Sequence, residues 1–381
     1  MKRRAWLGWG CAHCALLGSG AAAQTGWTLP PRFTRPDLAS DEGGLWALMD
    51  REETRLRRSP FRLRDEALNG YLTAIVCKLG GAHCPDIRVY PLRVPFFNAS
   101  MAPNGMMQVW TGLLLRMENE AQLAAVIAHE IGHFVQRHSV ERLRDVKARA
   151  AFGQFVGLLG VVGLIGQMAA IAGAMAFSRE HEREADRISV QLLRSAGYDP
   201  REAVKVWAQL IDEMNANPAG DASRNSILLA THPPSDERRD ALEALAAGHS
   251  GQTFEAEFAQ QLGPLRFGLL EDELQRGQTE ESLVLLNRLL AREPDSAELL
   301  YFRGESRRLR GAVGDPALAL DDLERALHSG RAPPVTLRSL GHLHKLMDRP
   351  AAAREAWQAY LERAPAAADA AVFKHYVEEL K

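Results

Sequence analysis

An excess of charge of either sign is missing from this sequence. Its 46 Lys and Arg nearly balance 48 Asp and Glu, leaving a formal net charge of -2. That balance gives no footprint for nucleic acid and no reason to expect a polyanionic partner. Cysteine is scarce, with four in 381 residues. The core must therefore come from apolar burial, and an apolar share of 46% is ample for one. Clear membrane-spanning helices are missing too. The length suits two or three domains.

The first 23 residues read as an export signal. Lys2, Arg3 and Arg4 precede an apolar stretch from Ala5 to Leu17, and Ala21, Ala22 and Ala23 precede Gln24. This is the order of a cleavable secretory signal. The apolar stretch is too short to span a bilayer well. Cleavage removes three cations together with Cys11 and Cys14. Cys77 and Cys84 remain, seven positions apart in a chain read as exported, and that invites a disulfide.

Periodicity predicts an α+β fold, mostly α. Residues 24–40 are a loose leader. A helical pattern runs from Glu42 to about Leu79, and Ile87 to Tyr90 alternates as a strand. Pro103, Asn104 and Gly105 mark a hairpin between two further short strands. Asn119 opens a helix with Gln122 three positions on, and Leu123, Val126, Ile127, Ile131 and Phe134 form its apolar stripe. Polar helices follow from Arg179 to Ala196 and from Arg201 to about Asn215. The composition changes near Gly263. Beyond it Gly304 and Gly341 recur 37 positions apart, and Pro294 and Pro365 recur 71 apart. That spacing resembles a short tetratricopeptide array, an α-solenoid over 263–381 behind a first domain over 41–250.

The chemistry lies in His129-Glu130-Ile131-Gly132-His133. Residues four apart share a helix face, so His129 and His133 can grip one metal ion. Glu130 lies beside them, placed to take a proton from a water that zinc has acidified. A catalytic zinc needs a third protein ligand. Downstream, Glu182 and Asp186 are four apart and share a second helix face. Glu182 can ligate, and Asp186 can hydrogen-bond a ligand histidine. Taken alone, the acidic stretch would read as a solvated face.

The pair of His-Glu-x-x-His and a later Glu-x-x-Ala-Asp resembles the gluzincin family of the CAAX prenyl protease and the HtpX heat-shock membrane protease. The resemblance extends to His232-Pro233 followed by Arg238, and to Asn98-Ala99 and Gly112-Leu113-Leu114 before the active helix. It covers roughly residues 40 to 245. It implies a zincin-like domain with one zinc on His129, His133 and Glu182, and Glu130 as general acid and base. Asp186 is then an orienting carboxylate, and His232 or Arg238 assists at the tetrahedral stage or, for His232, closes the site. The family member with an export signal and C-terminal repeats is a periplasmic peptidase and chaperone for outer-membrane barrels. By that likeness the substrates are unfolded or misassembled polypeptides, and the repeats contact the outer-membrane assembly machinery. The rival is a non-proteolytic tetratricopeptide adaptor with a structural zinc domain, against which Glu130 argues. His138 reads as an exposed helix residue. His181, His342 and His344 read as outside the site.

Residues 150–178 form a 29-residue run without a charge. As one helix it would be about 43 Å long and would set His133 and Glu182 on opposite faces of a bilayer. Both must approach one zinc, so the chain is expected to turn back at its glycines. The run then forms an apolar hairpin or lid, with no stable transmembrane span.

Overall fold

The computed structural model describes residues 27–148, 177–217, 232 and 235–380. The predicted hairpin at 150–178 lies outside these residues except for Phe177 and Ser178, and so does the export signal. Among the described residues no helix is long and apolar enough to cross a membrane.

The fold is α+β and mostly helical, as the periodicity predicts. The single helical run expected from Glu42 to Leu79 is two helices, α1 (Asp41–Arg58) and α2 (Glu66–Gly80). Pro60 is the reason, because it disfavours helical backbone at Ser59, which is extended at φ -63° and ψ 140°. Each helix opens on a side-chain cap, Ser40 accepting from the Gly43 N–H and Asp65 from the Leu68 N–H. A short 3₁₀ segment, Gly81–Asp86, follows α2. Cys84 in it is disulfide-bonded to Cys77 in the last turn of α2, as expected for this pair.

Three strands make one sheet in the order β1-β3-β2: β1 (Arg88–Leu92), β2 (Ala99–Met101) and β3 (Met106–Trp110). The outer pair differs in direction. β1 runs parallel to β3, while β2 runs antiparallel with Ser100 opposite Gln108. The turn between β2 and β3 sits at Pro103 to Gly105, where Gly105 takes φ +85°, a conformation that favours glycine. Asn104 at the tip donates to Asp50 and Glu53 of α1. Glu53 is buried, and it also accepts from Arg57, Arg88 and the Tyr90 hydroxyl. This polar knot ties the hairpin to α1.

After β3 come α3 (Thr111–Arg116), α4 (Glu120–Val135), α5 (His138–Ala148), α6 (Arg179–Ser195), α7 (Arg201–Asn215) and α8 (Asp236–Ala246). Asn119 caps α4 by accepting from the Gln122 N–H, as its spacing predicts. The Gln122 side chain returns to the N–H of Glu118, one residue earlier than in a standard capping box. The predicted stripe of α4 is buried, and so is every other residue of the helix. A fully enclosed helix must satisfy or use each of its polar side chains.

The remaining helices are α9 (Glu255–Arg276), α10 (Thr279–Arg292), α11 (Ala297–Arg310), α12 (Asp315–His328), α13 (Val335–Leu346), α14 (Pro350–Arg363) and α15 (Ala370–Glu379). The composition change near Gly263 falls inside α9, one continuous 22-residue helix, and not at a break between elements. Gly304 of α11 lies against Leu323 and Ala319 of α12, and Gly341 of α13 lies against Trp357 of α14. In both hairpins a β-carbon at the glycine would collide with the facing helix. The recurrence of glycine 37 positions apart is thus a recurrence of close helix contact. The two parts of the chain are joined by buried charge. Arg116 of α3 donates to Glu213 of α7 at 2.6 Å and to Glu273 of α9 at 2.9 Å, with all three side chains enclosed.

Candidate metal centre

Two small residues set the site. The crossing of α4 and α6 places Gly132 against Ala185, and a β-carbon at position 132 would lie 3.1 Å from the Ala185 Cα. This close approach brings the carboxylate of Glu182 under the imidazoles of His129 and His133. Ser178 starts α6 by accepting from the His181 N–H, which fixes the phase of the helix that carries Glu182 and Asp186.

Four buried side chains, His129, His133, Glu182 and His232, offer ligand atoms all within 4.8 Å of one another. His129 Nε2 lies 3.1 Å from His133 Nε2, 3.2 Å from His232 Nδ1 and 3.4 Å from a Glu182 oxygen. One imidazole nitrogen carries at most one hydrogen and cannot satisfy three such neighbours. A central cation resolves the crowding. Zinc bonds of about 2.0–2.1 Å in a tetrahedron separate neighbouring ligand atoms by about 3.3 Å, close to the spacings seen. The donor set therefore fits one zinc ion.

The electrostatics agree. Burial pushes the Glu182 carboxyl upward, but the surrounding histidines outweigh it and hold Glu182 far below the usual range. Burial opposes charge on His129, yet hydrogen bonding to Asp186 and Glu182 raises it to about 9. The cage is built for positive charge. His133 goes the other way, because burial keeps its ring neutral and its lone pair available.

The groups behind the cage are also in place. Asp186 lies 3.0 Å from His129 Nδ1, which turns Nε2 toward the cage. Arg238 donates to both oxygens of Asp186 at 2.9 and 2.8 Å and reaches Glu182 at 2.8 Å. Its guanidinium also lies 4.3 Å from the Trp207 ring centre. Ser235 caps α8 through the Arg238 N–H and so fixes this arginine. Glu130 is buried, and burial raises its carboxyl above the usual range. Its Oε1 has no hydrogen-bond partner among the described residues. Beside Glu130 and His129 is a small pocket walled by Val126, Ala203, Val206, Trp207 and Leu242.

All seven residues picked from the sequence converge here. Others were missed. His138 is buried, not exposed as its position on a polar helix suggested, and its Nδ1 lies 2.9 Å from His133 Nδ1. Its Nε2 lies 3.3 Å from Glu184. Phe177 stacks on His133 with ring centres 3.9 Å apart. No periodicity marks these contacts, because they depend on a turn at Arg137 and on the end of the uncharged run. His181 stays outside the cage, stacked on His138 with its Nε2 3.2 Å from Glu141. His342 is half-buried against Trp357, and His344 lies on the same helix, α13, far from the cage in sequence.

Residues 64–246 match the profile of Peptidase family M48. The chain is 36% identical over 148 residues to a mitochondrial metalloendopeptidase OMA1 of Arabidopsis thaliana, covering 39% of this chain and 29% of that one. It is 28% identical over 251 residues to the beta-barrel assembly-enhancing protease of Escherichia coli (strain K12), covering 58% and 50%. It is 32% identical over 166 residues to the OMA1 metalloendopeptidase of Schizosaccharomyces pombe, covering 41% and 45%. The chain thus spans half or less of the length of these relatives.

Proposed function

We propose that this chain, which carries a zinc metallopeptidase domain of family M48 over residues 64–246, is a periplasmic zinc metalloendopeptidase. It cleaves misfolded or stalled polypeptides in outer-membrane protein quality control and has chaperone-like activity. The observation that carries the peptidase reading is Glu130. A structural zinc site gains nothing from a buried carboxylate beside the cage whose Oε1 makes no hydrogen bond among the described residues.

His129, His133 and Glu182 hold the metal. When bound, zinc supplies Lewis acidity and brings the pKa of a water toward neutrality. Glu130 accepts the proton of that water and delivers it to the departing amine, a transfer suited to its raised affinity for protons. Asp186 orients His129. Arg238, committed to Asp186 and Glu182, positions both carboxylates. β2 is an edge strand of the sheet, so an extended substrate can pair with its backbone near Asn98 to Met101.

The same reading makes residues 1–23 a signal peptide, 24–40 a leader, 41–250 the catalytic domain and 263–381 tetratricopeptide-like repeats. Those repeats hold unfolded chains or dock on the outer-membrane assembly machinery. The name of the Escherichia coli relative supports this role, and so do the two glycine-packed hairpins.

The test uses the mature chain, casein as an unfolded substrate, and zinc loading followed by chelation. Cleavage should require zinc. Glu130→Gln should keep zinc but lose about 10²–10⁴ in rate. Equal cleavage by Glu130→Gln and wild type would remove the peptidase reading and favour the adaptor.

A further inference from the structure

The two histidines of the α4 motif are supported differently. His129 Nδ1 faces a carboxylate, Asp186, at 3.0 Å. His133 Nδ1 faces a second imidazole, His138 Nδ1, at 2.9 Å. We propose that His138 is the positioning residue for His133, and that Glu184 fixes the tautomer of His138. The proposal rests on the zinc reading of the cage.

Hydrogen counting leads to the assignment. His133 points Nε2 into the cage, 3.1 Å from His129 Nε2 and 3.4 Å from Glu182. A lone pair must lie on that nitrogen for it to ligate, so the hydrogen of the neutral ring sits on Nδ1. His133 Nδ1 is then a donor, and His138 Nδ1 must accept. An accepting Nδ1 leaves the hydrogen of His138 on Nε2, which faces Glu184 Oε2 at 3.3 Å. Glu184 is steadied by Gln136, which donates to its other oxygen at 2.8 Å. Each ring nitrogen in the row has one role, and the row ends on a carboxylate that can only accept.

The backbone pays attention to this contact. Between His133 and His138 the chain turns through Arg137 at φ 59°, a left-handed conformation that is unfavourable for a non-glycine residue. Arg137 is held there by its ion pair with Glu42 and by the Phe33 ring beneath its guanidinium. The turn starts α5 at His138 and folds that residue back under His133. His138 is 1% exposed, and its other face is covered by the stacked His181 ring at 4.3 Å. A buried imidazole in this place needs partners for both nitrogens, and His133 and Glu184 supply them.

The test separates positioning from packing and from the zinc reading itself. Zinc affinity of the mature protein is measured by competition with a chromophoric chelator, and thermal melting is recorded on the metal-free protein. His138→Phe keeps a buried ring but has no acceptor, and should weaken zinc binding about 10- to 100-fold. His138→Asn restores an acceptor near the place of Nδ1 and should recover most of that loss. Glu184→Ala should give a smaller loss of the same kind. Metal-free melting of His138→Phe and His138→Asn gives the packing cost of each, so a zinc loss rescued by the smaller Asn cannot come from packing. Zinc binding by His138→Phe as tight as wild type would overturn the positioning role. So would a loss in both variants that tracks melting without rescue by Asn. Failure of the wild type to bind zinc would instead overturn the metal reading, and this proposal with it.

Discussion

His232 stands with Nε2 3.5 Å from Glu130 Oε1 while its Nδ1 lies among the cage atoms, 2.8 Å from Glu182 Oε1. One ring thus occupies the space between the metal position and the general base. A catalytic zinc keeps that fourth position open for water, and a fourth protein ligand closes it. If His232 fills that position, the site is latent until the ring withdraws. His232→Ala should retain zinc on three ligands and cleave casein faster than wild type. Slower cleavage with zinc retained would show that His232 assists the reaction.

The contact of Gly132 with Ala185 sets the spacing between the helices that share the metal. Ala185→Leu adds volume where the backbones touch and should cost about 1–3 kcal/mol of stability. It should also weaken zinc binding at least tenfold, since Glu182 moves with α6. A variant that melts earlier but keeps full zinc affinity would show that the crossing can open without moving Glu182.

Glu53 gives the fold an acid-sensitive component. Burial raises its carboxyl, but hydrogen bonds from Arg88, Tyr90 and Arg57 outweigh burial and bring it to about 2. A carboxyl depressed in the folded state stabilises above its unfolded pKa, near 4.5, and that contribution fades as pH falls toward 2. Wild type should exceed Glu53→Gln by about 2 kcal/mol in urea unfolding at pH 6. The gap should shrink steadily between pH 4.5 and pH 2. A gap independent of pH would mean that Glu53 acts by shape alone.

The Cys77–Cys84 bond clips the end of α2 to the segment that leads into β1. Thiol labelling of the unreduced mature protein should find no free cysteine. Closing so short a loop is worth about 2 kcal/mol in the chain-entropy account, so reduction should lower stability by that order. Two labelled thiols in native protein would refute the bond in solution.

The chemistry of the site was legible in the sequence because it lies on regular helices. His129 and His133 four apart, and Glu182 and Asp186 four apart, must each share a face once helix forms, and Gly132 and Ala185 leave room for a crossing. Caps at Asn119 and the turn at Gly105 are equally local. Local rules also explain where the reading stopped. Nothing in the spacing of residues 42 to 79 revealed the two helices except Pro60, whose effect on Ser59 is a matter of one backbone angle. His138 looked exposed because α5 is polar by sequence, yet the left-handed turn at Arg137 folds its first residue under His133. The meeting of His232 with Glu130 joins positions 102 apart, and the tie of Arg116 to Glu213 and Glu273 joins three separate helices. Such contacts depend on how whole elements pack, and a periodic pattern carries no record of them. Helix geometry therefore determined which residues could hold a metal, while tertiary packing decided which neighbours stand behind them and which histidine stands beside Glu130.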